Sequence, residues 1–199
     1  MPNGTTLDGD TAPAQSPVQV SGLSLIPGQT LNFSVTGAVN NVPSPPPPTA
    51  TADGVTSLLN YGPNFGISRI NAPLNSLLGV FLDNSQPDLT PAPAPLDFSA
   101  IGLNFSSLAP QVKQVFFIGD GLTGTGSGAV QNFIVPTGAT RLFLGPMDGF
   151  GWKGNTGSFT VTVQAVPEPS TVFGLGVLGF GAFFQYNLAK SKKSNKQDK

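Results

Sequence analysis

Turn-forming residues set the first limit on this chain. It carries 25 Gly and 20 Pro in 199 residues, and no amphipathic stretch of ten or more residues stands before Val172. In a helix interior Pro costs about 3 kcal/mol and Gly about 1 kcal/mol relative to Ala, so long helices cannot dominate the body. Short apolar or alternating windows lie between the turns: Gln19–Ile26, Leu31–Val39, Gly66–Ile70, Leu77–Leu82, Val112–Ile118, Gln131–Val135, Arg141–Leu144 and Ser158–Val163. Phe159-Thr160-Val161-Thr162-Val163 is β-branched or aromatic throughout, which suits a pleated, half-buried surface. Short strands at this spacing predict an all-β ectodomain over 16–165, an antiparallel β-sandwich or jelly roll. Residues 1–15 read as a flexible segment.

Two stretches read as loops. Asn41–Ala52 holds Pro43 and Pro45–Pro48, and Gln86–Leu96 holds Pro87, Pro91, Pro93 and Pro95. Proline cannot donate to a ladder, so neither is a central strand. Gly119-Asp120-Gly121-Leu122-Thr123-Gly124 matches G-x-G-x-x-G, but Thr125-Gly126-Ser127-Gly128 follows it. That continuation cannot open the helix a dinucleotide site needs, so the stretch reads as a hairpin loop.

Composition removes whole classes of chemistry. There is no Cys and no His, which excludes thiolate nucleophiles, Cys-based zinc sites and His-dependent triads. Any bound metal must be held by oxygen, which favours calcium or magnesium. Charged residues make up only 10%. The first 189 residues hold four basic and nine acidic groups, a net of −5. No basic patch for nucleic acid stands out. The last ten residues reverse the sign, with Lys190, Lys192, Lys193, Lys196 and Lys199 against Asp198.

The C-terminal part is the most informative. Val166-Pro167-Glu168-Pro169-Ser170 precedes an uncharged run, Thr171 to Ala189. Its apolar heart, Val172–Phe184, has 13 residues, four of them Gly. As a helix the heart spans about 20 Å, and extension to Ala189 gives about 27 Å, at the low edge for a hydrocarbon core of about 30 Å. A lysine cluster after an apolar segment reads as a membrane helix over 171–189 with a basic cytoplasmic tail over 190–199. The residues alone also allow a tail-anchored cytoplasmic protein or a buried C-terminal helix.

Pro167-Glu168-Pro169, the adjacent apolar segment and the terminal lysines, in that order, resemble the PEP-CTERM sorting signal of bacteria that secrete exopolysaccharide. The likeness extends from Met1-Pro2-Asn3-Gly4-Thr5-Thr6 through Phe116-Phe117-Ile118-Gly119-Asp120-Gly121 to the tail. The resemblance implies export, temporary anchoring in the membrane, and processing near 166–170 by an exosortase-type enzyme. It also implies a secretion leader, which Met1–Asp10 does not resemble, so Met1 is expected to be an internal methionine.

A second resemblance lies in the body. Arg141-Leu142-Phe143-Leu144-Gly145-Pro146-Met147-Asp148-Gly149, a loop with Gly and Trp, then Asn155-Thr156-Gly157-Ser158-Phe159 is similar to the calcium-dependent galactose-binding lectin family of bacteria. Tyr61-Gly62-Pro63 matches that family's turn. The resemblance implies a calcium ion on Asp148, Asn155, the Tyr61 carbonyl and a carbonyl near Gly151, with polysaccharide as partner. Trp152, the only Trp, is the residue expected to stack on a sugar ring, or else to cover the edge of the core. Asp148-Gly149 and Asn155-Thr156-Gly157 also read as plain turns.

Three functions follow. The first is a non-enzymatic envelope or extracellular-matrix protein. The second is a calcium-dependent carbohydrate-binding module. The third is a hydrolase using two of Asp53, Asp83, Asp88, Asp97, Asp120 and Asp148.

Overall fold

A computed structural model of the chain describes residues 4–42, 48–149 and 151–167. Met1–Val166 forms one compact unit. The described part is all-β, and its one α-helix is a four-residue turn. In chain order the strands are β1 (Thr6–Leu7), β2 (Asp10–Thr11), β3 (Val18–Gln19), β4 (Thr30–Asn40), β5 (Leu58–Tyr61), β6 (Ile70–Pro73), β7 (Leu77–Leu82) and β8 (Leu96–Asp97). The short helix α1 (Phe98–Ile101) comes next. Then follow β9 (Ser107–Leu108), β10 (Val115–Phe117), β11 (Leu122–Gly124), β12 (Ser127–Val130), β13 (Asn132–Ile134), β14 (Arg141–Pro146) and β15 (Thr156–Ala165).

Two four-stranded sheets carry the fold, ordered β10-β7-β14-β3 and β15-β4-β13-β9. The longest pairing joins β15 to β4 antiparallel over ten residues, Thr156↔Asn40 to Ala165↔Leu31. Leu31, Phe33 and Phe133 of one sheet meet Leu77, Phe81, Phe116 and Leu142 of the other in a single buried cluster. Phenylalanine fills it. Phe133 touches Phe33, Phe116 and Phe105 at centroid distances of 5.0, 5.6 and 5.8 Å, and Phe81 stacks on Phe116 at 5.2 Å. Edge-on and offset ring pairs of this kind add to what area burial alone contributes.

β7 is buried at all six positions. Leu77 and Phe81 face the inter-sheet core, while Leu78 packs with Ile70, Ala72, Phe98, Phe117 and Met147 on the opposite face. An apolar run without alternation, Leu-Leu-Gly-Val-Phe-Leu, is what a strand covered on both faces needs. The cover on the second face comes from the β5-β6-β8 sheet, and a cavity lies there.

Six windows of the sequence become strands in place: β4, β7, β10, β13, β14 and β15. Gln19–Ile26 differs. Only Val18–Gln19 pairs with β14, because Gly22 at φ +73° turns the backbone out of the extended region. Its Leu23 and Leu25 still pack on the core. The stretch Gly66–Ile70 contributes a bridge, Asn64↔Ile67, and only the start of β6 at Ile70. In the loop Gln86–Leu96, Lys113 Nζ donates to the carbonyls of Pro87, Thr90 and Pro91 at 3.2, 3.0 and 2.8 Å. Residues 43–47 of the other proline loop lie outside the described part. The G-x-G-x-x-G stretch is the β11–β12 hairpin, with Asp120 accepting from the Leu122 and Gly126 amides at 2.8 and 2.6 Å.

The described part of the N-terminal segment, expected to be flexible, forms a hairpin, β1 against β2. Asp8 and Gly9 both have positive φ, 51° and 87°, as a two-residue type I′ hairpin turn requires. Asp10 and Ala12 are buried. The expected membrane helix 171–189, Glu168 and Pro169, and Lys190, Lys192, Lys193 and Lys196 lie outside the described residues. Among the described residues no helix is long and apolar enough to cross a membrane.

Candidate functional site: a cavity closed by the Gly151–Lys153 loop

The outer face of the β10-β7-β14 ladder forms the floor of a cavity of about 190 Å³. Leu78, Val80, Val115 and Phe143 supply apolar side chains there. Two chain segments wall it in, the β1–β2 hairpin with Leu7, Asp8 and Asp10, and the stretch from Tyr61 to Ile70. The chain leaving β14 closes a third side with Asp148, Gly151 and Trp152.

That third wall is held by Asp10. Its carboxylate accepts from the backbone amides of Trp152 and Lys153, at 2.5 and 2.7 Å. Two backbone amides on one buried carboxylate tie this loop to the β1–β2 hairpin. Gly151 is required at this point for two reasons. Its φ is +95°, and a β-carbon there would stand 2.8 Å from Asp10 Oδ2. The Trp152 carbonyl then accepts from the Asn155 amide at 3.0 Å, closing the turn.

Trp152 is half-buried and fixed at both ends of its indole. Nε1 donates to the Pro146 carbonyl at 3.0 Å. The ring lies over Gly145, where a β-carbon would come within 2.7 Å of it. Its role is therefore that of a wall on the sheet, with one edge open to the cavity.

Tyr61 ends β5 opposite Ile70. Its hydroxyl donates to Asp8 Oδ2 at 2.6 Å. Burial, reinforced by the hydrogen bond and the charge of Asp8, pushes the phenol up to about 12. A β-carbon at Gly149 would lie 3.4 Å from Leu59 and 4.0 Å from Tyr61, so the loop after β14 does meet the Tyr61 turn.

Tyr61, Asp148, Gly151 and Trp152 thus line one cavity. Asn155 does not. It lines a second cavity, about 820 Å³, which opens between β3 and β15 and shares Gln15, Gly145, Pro146 and Trp152 with the first. Both side-chain polar atoms of Asn155 are buried there without a hydrogen-bond partner. Asp8 and Asp10 were not singled out by the sequence reading. The signal available was local: Asp8-Gly9 between Thr6-Leu7 and Asp10-Thr11 is a hairpin dipeptide.

Asp83, Asp97 and Asp53 are engaged with backbone amides away from this cavity. Asp83 accepts from the Ser85 amide and hydroxyl, which hold its carboxyl below the usual range. Asp97 caps α1 through Ser99, with the same effect. Asp53 accepts from the Asp120 amide at 3.0 Å. For calcium, the cavity lining holds the carboxylates of Asp8, Asp10 and Asp148, but Asp8 already accepts from the Tyr61 hydroxyl, Asp10 already accepts two amide protons, and the Asn155 amide lies on the second cavity. Among the described residues no three acidic side chains group as a metal site.

No family model, no curated protein and no solved structure matches the chain.

Proposed function

We propose that this chain is a non-enzymatic protein exported to the cell envelope or extracellular matrix and sorted by its C-terminal segment. What carries the reading is the sequence order of Pro167-Glu168-Pro169, an uncharged apolar run and a lysine cluster. The end of the compact unit fits it. The Val166 amide still bonds to the Thr30 carbonyl at 2.9 Å, and the next residue, Pro167, is exposed. In sequence the motif begins at the residue after this bond. The apolar run anchors the chain in the membrane before processing, and Lys190, Lys192, Lys193 and Lys196 hold the cytoplasmic end, each worth about 1 kcal/mol at an anionic leaflet. The two facing four-stranded sheets, antiparallel except where β9 runs parallel to β13, are read as a β-sandwich. The test is the fate of the C-terminus in cells that carry, or lack, an exosortase-type enzyme.

A second reading is a calcium-dependent carbohydrate-binding module for exopolysaccharide. The observation favouring it is that Tyr61, Asp148, Gly151 and Trp152 border one cavity. Calcium would sit on Asp148 and on carbonyls of Tyr61 and Gly151, with Asn155 joining only after a change of its side chain. So few carboxylates place the dissociation constant at about 0.1–1 mM. At 10 mM calcium and the tighter limit, stability rises by about 2.7 kcal/mol, or roughly 5 °C or more in melting temperature. Asp148→Asn is expected to remove that shift. Identical melting curves in calcium and in chelator would end this reading.

A further inference from the structure

Three of the four outer strands in the two main sheets are short. β3 and β9 have two residues each and β10 has three. β15 has ten, Thr156–Ala165, without a charge or a proline. Among the described residues it pairs on one side only, with β4. Natural sheet edges are normally blunted by shortness, by lysine or proline, or by a bulge. From Ser158 to Ala165 this edge carries none of these, and its register against β4 runs unbroken.

The free side can be assigned residue by residue. The Val166 amide bonds to the Thr30 carbonyl, one step beyond the Ala165↔Leu31 pair. Backbone groups alternate in direction along an antiparallel strand. Ser158, Thr160, Thr162 and Gln164 therefore aim their amides and carbonyls at β4, and Phe159, Val161 and Val163 aim theirs away from the sheet. Among the described residues no hydrogen bond reaches these outward groups. A row of unpaired amides and carbonyls is a template for another strand. The side chains divide by face. Phe159, Val161 and Val163 lie half-buried against the core and line the second cavity. Ser158, Thr160, Thr162 and Gln164 are exposed.

We propose that β15 pairs antiparallel with β15 of a second copy, about a two-fold axis at Val161, and so joins two four-stranded sheets into one. The occupant is a copy of this chain because the strand is close to its own complement. The axis sets Val161 against itself and Phe159 against Val163, and each such pair exchanges both of its N–H···O bonds. On the exposed face it sets Thr160 against Thr162 and Ser158 against Gln164. Aromatic–β-branched and Thr–Thr pairs are favourable across strands. A two-fold axis brings any charge on a strand near its own like, and this strand has none. The contact is isologous and closed, so it occupies the β15 edge of both copies and leaves none for a third. Neither the sorting segment nor calcium enters it.

Sedimentation equilibrium of the full chain, in a non-ionic detergent that keeps its apolar C-terminal run in solution, reads the association. One strand pair makes a small interface of the weak, reversible class, so the mass is expected to rise from one chain towards two with concentration. Thr160→Lys with Thr162→Lys opposes lysine to lysine at exposed positions and is expected to hold the mass at one chain, with the far-UV circular dichroism of the parent. Thr160→Lys with Thr162→Glu opposes lysine to glutamate and is expected to restore the dimer. The chain has no Cys, so the register can be read by engineered disulfides. Opposed residues of a non-hydrogen-bonded pair stand about 4.5 Å apart at Cα, within disulfide reach. On oxidation, a mixture of Thr160→Cys and Thr162→Cys chains is expected to give a linked dimer, and neither chain alone is expected to do so. Should the double-lysine variant lose its strand spectrum, the cysteine mixture decides. A mass of one chain at every concentration would overturn the proposal. So would a dimer that the paired lysines leave intact, which would place the contact in another part of the chain. Linkage by either cysteine variant alone, or none in the mixture, would overturn the axis at Val161.

Discussion

Phe133→Ala will lower the stability of the compact unit by about 3–5 kcal/mol. The side chain is fully buried and lies between Phe33 of its own sheet, Phe116 of the facing sheet and Phe105. Truncation removes the transfer free energy of the ring and leaves a void that three rigid aromatic neighbours cannot collapse into. Those three ring contacts are lost as well, each worth about 0.5–1.5 kcal/mol beyond its area. For a domain of this size the melting temperature falls by about 10 °C or more. Chemical denaturation read by far-UV circular dichroism checks it. A midpoint within the error of the parent would mean that the two sheets do not share this core.

Asp10→Ala is the second large effect, and it is local in origin. The carboxylate holds the Trp152 and Lys153 amides at a buried position. Removing it strands two donors and opens a gap beside Gly151, whose conformation was fitted to that carboxylate. Losing a charged partner of buried donors costs about 1–3 kcal/mol for each group left unmet. A combined loss of about 2–4 kcal/mol is expected. The emission of Trp152 should move to longer wavelength as its wall loosens. Asp10→Asn keeps one acceptor oxygen and is expected to lie between the two. An unchanged Trp152 emission maximum in Asp10→Ala would show that the loop stands without its N-terminal anchor.

The body's strands were legible where pattern and burial agree. Leu77–Leu82 is apolar at each position because both faces of β7 are covered. Phe159–Val163 reads as a strand because its β-branched and aromatic residues lie on the edge of a sheet. The window Gln19–Ile26 misled because hydrophobicity reports burial and not pairing. Leu23 and Leu25 are in the core, yet Gly22 takes them out of the ladder. β5 and β6 carry weak signals, Leu-Leu-Asn-Tyr and Ile-Asn-Ala-Pro, with polar or proline positions that resemble loop sequence.

The placement of the singled-out residues was legible only in part. Tyr61, Asp148, Gly151 and Trp152 share a cavity, while Asn155 lies beyond Trp152. What sequence reasoning did not supply was the hairpin at Asp8–Asp10. Its bond to Trp152 spans 142 residues. No local periodicity encodes such a contact. It follows only from the three-dimensional closure of the chain, in which a buried carboxylate must find donors.

Mass spectrometry of the mature C-terminus reads out sorting through the C-terminal segment. The full chain is produced behind a secretion leader in two strains of one bacterium, with and without an exosortase-type enzyme. In the strain with the enzyme, the recovered protein should end within or close to Val166–Ser170 and be released from membranes. In the strain without it, the protein should retain Lys199 and remain with the membrane fraction, and Glu168→Ala should give the same result even when the enzyme is present. A chain that keeps Lys199 in both strains, or that loses its tail equally in both, would contradict the account.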